Sequence, residues 1–294
     1  MQKRWFEVGG LWFSVGTTDG SEWPIEMPDA YLPFERKEKK ADGQQIFELY
    51  IDQKFSLPAK GKWIGQFNEE NTPQTVYLLE NGDYQFELQD EQHALTAEMQ
   101  AEAGFGRARV ALHGTEAQMI MGLNNCIMIA YAFSSAMHKT LLMHASVIGL
   151  HRHGYLFLGK SGTGKSTHSQ LWLKNFPQTE LVNDDNPVVG IRNGKTIVYG
   201  SPWSGKTPCY KDLQCWAQAF VWLEQKPYNR IERQSKVEAF ASLLMSTSLM
   251  TWDKPIYRAL GDTITEILGQ TAVYHLQCLP DEEAAQLCRT VIER

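Results

Sequence analysis

The stretch Tyr155-Leu156-Phe157-Leu158-Gly159-Lys160-Ser161-Gly162-Thr163-Gly164-Lys165-Ser166-Thr167-His168-Ser169-Gln170-Leu171-Trp172-Leu173 decides how the rest of the chain is read. An apolar strand runs into the pattern G-x-x-x-x-G-K-[ST] and then into a helical segment, the order that a phosphate-binding loop requires. Gly159, Gly162 and Gly164 let the backbone turn successive N–H groups inward, and the helix that follows adds the partial positive charge of its N-terminus. Lys165 brings a full charge to the terminal phosphates, and the Ser166 hydroxyl suits magnesium. The stretch therefore predicts a nucleotide loop that takes ATP and magnesium, with Gly159, Lys160, Ser161, Gly162, Thr163, Gly164, Lys165, Ser166 and Thr167 as contacting residues.

Downstream, Glu180-Leu181-Val182-Asn183-Asp184-Asp185-Asn186-Pro187 reads as a short strand ending in two carboxylates. Such a pair can hold a hydrated magnesium and also accept a proton from an attacking hydroxyl. Adjacent side chains on a strand point to opposite faces, so the two converge only where the strand ends, and Pro187 favours a turn there. A hairpin is predicted next, Val188–Arg192 and Lys195–Tyr199 joined by Asn193-Gly194. It leads to Gly200-Ser201-Pro202-Trp203-Ser204-Gly205-Lys206-Thr207, a second phosphate-contacting loop centred on Lys206.

Upstream, Leu141 to Leu150 and Tyr155 to Leu158 are two apolar runs around the turn His151-Arg152-His153-Gly154, so the phosphate loop is expected to leave an antiparallel strand. From Glu116 to Lys139, Met119, Leu123, Ile127, Ala130 and Phe133 recur at helical spacing without a proline, which predicts a long buried helix. The first 114 residues read as short strands and turns, with Trp5, Trp12, Trp23 and Trp63 as sheet aromatics and a tight hairpin at Asn81-Gly82. Past Lys211 the sequence predicts a strand at Ala219–Glu224, a serine-capped helix from Ser235 to Met250, a strand at Ala272–Leu276, and a terminal helix opened by Pro280-Asp281-Glu282-Glu283.

Composition narrows the function classes. The chain has 294 residues, 43% of them hydrophobic, and five cysteines with no CxxC pair. That excludes a disulfide framework and a zinc site of the usual spacing. A net charge of -6 argues against a nucleic-acid surface. The absence of about 18 consecutive apolar residues gives an expectation of no membrane span, and a cytoplasmic location is expected.

The residues His144-Ala145-Ser146-Val147, the loop Gly159 to Ser166, and Val182-Asn183-Asp184-Asp185 together resemble the catalytic domain of HPr kinase/phosphorylase. They are also similar to the nucleotide site of phosphoenolpyruvate carboxykinase. The resemblance implies a mixed α/β phosphate-loop domain over residues 115–294, preceded by a β-rich region over residues 1–114. It implies Lys165 and Ser166 on phosphates and magnesium, Asp184 as catalytic base, Asp185 as support for the metal, and His144 beside the base; it also admits a homo-oligomer. Thr167 stands where the kinase family has glutamate, and the family's later Ile-Glu-Leu-Pro-Val segment has no counterpart. The expectation is a kinase acting on a hydroxyl of a protein, peptide or small molecule, without phosphorylase activity. The alternative is a nucleotide-binding regulatory or scaffold module with little or no phosphotransfer.

Overall fold

The computed structural model describes residues 3–18, 22–57, 61–67, 72–205 and 207–293. It has a mixed α/β architecture in which a β-rich region precedes the helical segments, and it divides into two compact units, Met1–Ser135 and Ala136–Arg294.

The N-terminal unit is built on β1 (Lys3–Val8), β2 (Leu11–Thr17), β3 (Glu35–Arg36), β4 (Gln45–Ile51), β5 (Lys62–Phe67), β6 (Gln74–Leu78), β7 (Tyr84–Gln89), β8 (Leu95–Ala101) and β9 (Arg107–Leu112). Among the described residues they form one sheet in the order β3-β1-β2-β4-β9-β8-β7-β6-β5. The turn at Asn81-Gly82 is a five-residue loop rather than a two-residue one, closed by Leu79 N–H to Asp83 O at 2.9 Å and Gly82 N–H to Leu79 O at 3.0 Å. Alternation sets one sheet face inward, as in β4, where Phe47, Leu49 and Ile51 are buried.

The helix α1 (Glu116–Ala136) packs on this unit. Tyr131 donates its hydroxyl to Val8 O at 2.9 Å, Phe133 meets Phe105 with ring centroids 5.2 Å apart, and Gly122 lies so close to Thr96 O that an added Cβ would stand 2.6 Å from it. The expected domain start at 115 thus differs from the observed division at 135/136, because the helix buries its side chains against the sheet that precedes it. By length and composition α1 is apolar enough to cross a membrane, and 67% of its apolar window is buried. A helix apolar all round is one that packs on several sides.

The second unit contains β10 (Thr140–Leu142), β11 (Ala145–Leu150), β12 (His153–Leu158), α2 (Lys165–Asn175), β13 (Thr179–Asp185), β14 (Val188–Arg192), β15 (Lys195–Tyr199), β16 (Gln214–Gln225), β17 (Arg230–Arg233), α3 (Lys236–Met245), α4 (Lys254–Leu268), β18 (Ala272–Cys278) and α5 (Glu282–Ile292). The sheet order is β10-β14-β15-β16-β12-β11-β13, with β18 on β16 and β17 on β18. Strand β16 is long enough to pair with β15 over Gln214–Trp216 and then with β18 over Ala219–Gln225. Strand β12 is antiparallel to β11 and parallel to β16. The β14–β15 turn has Asn193 at φ 51° and Gly194 at φ 69°, the two positive dihedrals its Asn-Gly dipeptide is suited to.

The run Leu141–Leu150, expected as one strand, is two. Strand β10 pairs with β14 (Leu142 opposite Val188) and β11 pairs with β13 (Ala145 opposite Asp185). These are two stretches of one antiparallel ladder, interrupted at Met143-His144 on one side and at Asn186-Pro187 on the other. Only Met143 N–H to Pro187 O, at 3.1 Å, bridges the break. Helix α3 stops at Met245, short of the expected Met250, and the chain from Ser246 turns back along β10, with His144 N–H bonded to Ser246 O at 2.7 Å.

Helix α2 is anchored by Trp172, which is fully buried among Tyr155, Phe157 and Phe176 with ring centroids 5.0, 5.6 and 5.2 Å away. Leu223, Leu276, Ala285 and Cys288 complete the same core. Trp172→Ala is expected to lower the unfolding free energy by about 3–5 kcal/mol, the usual cost of deleting a buried aromatic. Urea unfolding followed by circular dichroism measures it, and a loss below about 1 kcal/mol would mean that α2 is not held through this side chain.

Candidate functional site

Strand β12 delivers the chain to Gly159 at φ 147°, where an added Cβ would stand 2.6 Å from Thr163 Oγ1 and 3.2 Å from Leu223 O. The loop then folds back on itself: Thr163 N–H and Oγ1–H both donate to Lys160 O, at 3.2 and 2.8 Å. Gly162 at φ 78° and Gly164 at φ 95° take left-handed dihedrals that a side chain would strain, and Gly164 caps α2 with no side-chain hydrogen bond. The first amides of α2 are thus free of a side-chain cap, and no acidic residue occupies its first turn. That leaves the helix start suited to an anion.

Lys165 is 8% exposed and points back under the loop. Its Nζ donates to Gly159 O at 3.1 Å, to Lys160 O at 3.3 Å, and to His144 Nε2 at 2.8 Å. Burial pushes the ammonium below the usual lysine pKa, opposed by the attraction of Asp185 and Asp184. An ammonium can only donate, so His144 Nε2 is the acceptor and Nδ1 carries the proton. Nδ1 stands 3.0 Å from Asp185 Oδ1, completing a chain from Lys165 through a neutral His144 to Asp185.

The two aspartates have different partners. Asp184 is buried, and its Oδ1 accepts from the Ser166 hydroxyl at 3.0 Å. Asp185, besides His144, accepts from Asn186 Nδ2 at 2.8 Å and sits at φ 143°, a dihedral that non-glycine residues rarely adopt. Such an outlier costs of order ~1–3 kcal/mol and persists where neighbours over-determine it. Here the neighbour is the loop after Tyr199. Gly205 N–H bonds Asp184 O at 2.6 Å, Ser204 Oγ–H donates to the same carbonyl at 3.2 Å, and a Cβ on Gly205 would stand 3.1 Å from Asp185 Cβ. Lys206, the expected centre of this loop, lies outside the described residues.

Sequence reasoning missed the residues that hold this loop in place. Asn183 is fully buried and donates through Nδ2 to Ser201 Oγ and Trp203 O, both at 3.1 Å. Ser201 Oγ–H donates in turn to Asn186 O at 2.6 Å. An amide residue between the apolar pair Leu181-Val182 and the acid pair was the available signal. Ser146 and Ser169, whose hydroxyls are 2.6 Å apart and buried, fasten α2 to β11 and carried no signal of their own.

Among the described residues no cluster of three or more His, Cys, Asp or Glu side chains could hold a metal ion unaided. The Ser166 hydroxyl and the Asp184 carboxylate offer one oxygen each at the same place. That donor set fits magnesium arriving with a nucleotide, which takes few protein ligands and completes its shell with water and phosphate oxygens.

No family model matches this chain, and no curated protein matches it. Among solved structures it has a weak structural resemblance to the Hpr(Ser) kinase/phosphatase from Coxiella burnetii. The two are 15% identical, the match covers 52% of this chain and 93% of that one, and the TM-score is 0.30. At that score the likeness assigns no chemistry.

His168, one turn into α2, is 3% exposed, lies edge-on to Phe157, and accepts from Trp172 Nε1 at 3.2 Å. Burial pushes its pKa down to about 4, so the folded protein keeps it neutral. An unfolded histidine titrates near ~6.5, so the unfolded state binds more protons as pH falls from there toward 4, and folding stability drops across that window by ~3 kcal/mol. His168→Gln is expected to flatten this part of the stability profile, measured as urea midpoints between pH 7 and pH 4. An unchanged slope would mean that another group carries it.

Proposed function

We propose that this chain is an ATP- and magnesium-dependent phosphotransferase that moves the terminal phosphoryl group to a hydroxyl of a protein, peptide or small molecule. The observation that supports it is the split of the acid pair: one carboxylate bonded to the phosphate-loop serine, the other to a histidine whose second nitrogen is a hydrogen-bond acceptor. Binding alone would need only the loop and its lysine; two differently partnered carboxylates suit chemistry.

In this reading Ser166 and Asp184 hold the metal, and Lys165 with the α2 amides holds the phosphates. Magnesium, when bound, supplies neutralisation of charge on the phosphate oxygens. Once Lys165 turns to a phosphate, His144 Nε2 loses its present donor and its lone pair is available to the acceptor's hydroxyl proton. Asp185 fixes the His144 tautomer through Nδ1 and balances the charge of the imidazolium, the role a carboxylate plays behind a histidine base elsewhere. Relative to the roles expected from sequence, the metal carboxylate becomes Asp184, which holds the Ser166 hydroxyl, and the base becomes His144 with Asp185 behind it. The loop of Ser204 and Gly205, bonded to Asp184 O, keeps the pair in this arrangement.

Lys165→Ala is expected to abolish tight Mg-ATP binding in calorimetric titration while leaving the fold intact. Asp184→Asn should remove most of the magnesium dependence of ATP affinity. His144→Gln and Asp185→Asn should each leave affinity nearly unchanged and lower single-turnover transfer, or basal hydrolysis, by ~10²–10⁴-fold. If Asp185→Asn instead erased the magnesium dependence and Asp184→Asn only the rate, the sequence-based roles would stand. If Asp184→Asn, His144→Gln and Asp185→Asn all matched the parent in every assay, the site would be a binding site and not a catalytic one.

A further inference from the structure

A cavity of about 630 Å³ opens beside the phosphate loop, between the first turns of α2 and the ends of β16 and β18. Thr163, Gly164 and Thr167 belong to both the loop and the cavity wall, so whatever sits on the loop extends directly into it. The remaining walls are largely apolar, with Leu171, Leu223, Cys278 and Leu279 and two prolines, Pro227 and Pro280. Its volume lies within the ~300–1,000 Å³ typical of small-molecule sites. Resting on the nucleotide reading above, the occupant that fits an apolar slot continuous with a phosphate cradle is the heteroaromatic base of that nucleotide.

The polar groups of the lining are mostly committed elsewhere. Thr163 Oγ1 donates to Lys160 O, Gln225 Nε2 to Gly162 O at 3.2 Å, and the Lys226 ammonium pairs with Glu224 at 2.9 Å. His168 Nε2 is occupied by Trp172. The backbone N–H groups at the rim are taken as well. Lys226 N–H bonds Cys278 O at 3.1 Å, Leu279 N–H bonds Asn229 Oδ1 at 2.8 Å, and Pro227 and Pro280 have no N–H to offer. No carboxylate lines the cavity. A guanine edge needs an acceptor pair for its N1–H and 2-amino group, and an adenine edge needs a donor for N1 beside an acceptor for the 6-amino group. The N–H groups named above are therefore engaged and not left to donate to adenine N1 or guanine O6, and no carboxylate is present to accept from guanine N1–H and its 2-amino group.

We propose that this cavity holds the nucleotide base by packing alone, so that the phosphoryl-donor site accepts 6-amino and 6-oxo purines alike. A site that hydrogen-bonds a distinguishing group rejects the analogue lacking it by ~10⁴–10⁵-fold, whereas an apolar pocket discriminates weakly.

The test uses the full chain and calorimetric titration with Mg-ATP, Mg-GTP and Mg-tripolyphosphate, the last having phosphates and no base. ATP and GTP should bind within ~10-fold of each other, and both more tightly than tripolyphosphate. Leu279→Ala, on a partly exposed residue, should weaken both nucleotides by ~5–10-fold and leave tripolyphosphate unchanged, as expected for losing part of one apolar contact. Leu279→Trp, which narrows the cavity, should shift both nucleotide affinities and leave tripolyphosphate unchanged. A preference above ~100-fold for either purine would overturn base indifference. Nucleotide affinities unmoved by both Leu279 variants, with tripolyphosphate still bound, would show that the base lies elsewhere and leave the phosphate site standing. No binding of any of the three ligands to the parent would sink the nucleotide reading itself, and this inference with it.

Discussion

The second unit depends on one constraint: an antiparallel ladder that loses its pairing on both strands at the same level. Between Leu142–Val188 and Ala145–Asp185 the register is continuous, yet Met143, His144, Asn186 and Pro187 fall outside it. Pro187 has no N–H to give and restricts the residue before it, so the break on that side is built into the covalent chain. Met143 N–H still reaches Pro187 O across the break, but His144 N–H finds its partner elsewhere, in Ser246 O. With His144 outside the ladder and Asp185 at the strand end with φ 143°, the two side chains face each other at 3.0 Å, which a regular ladder would not allow for residues one step out of register.

The electrostatics follow from the same crowding. A buried lysine is costly unless its donors are satisfied, and Lys165 satisfies them with two carbonyls and one imidazole nitrogen. None of these partners carries a full negative charge, so the ammonium is held in place without being neutralised. The carboxylates that would neutralise it are turned to Ser166 and to the far nitrogen of His144. A lysine kept charged but unneutralised is a strong attractor for an incoming phosphate.

Much of this site was legible because its chemistry is contiguous. Gly159 to Ser166 and Asp184-Asp185 are local patterns, and Asn193-Gly194 names its own turn. The strand break at His144 was not legible: Leu141 to Leu150 is a mostly apolar run with no proline and only Gly149 near its end, and the interruption comes from pairing with chain some forty residues away. Which aspartate meets Ser166 was equally hidden, since adjacency in sequence says nothing of which face each side chain takes at a strand end. Helix α1 could be recognised by its spacing, but periodicity does not say which sheet it covers. Helix α4 was overlooked although its signals were present, with Asp253 accepting from Ile256 N–H as N-cap and Pro255 in the first turn.

The position of β12 also sets when the loop it carries can come into being during synthesis. Its hairpin partner β11 precedes it, but its other edge waits for β16, with Leu158 beside Trp222, and β16 in turn is flanked by β18 near the end of the unit. Parallel pairings of that span close late and slowly, because the loop between the strands must be ordered before the contacts repay it. A chain still emerging from the ribosome thus has the glycine-rich turn long before it has the walls that shape it. The glycine-rich turn takes its final surroundings only in the finished unit.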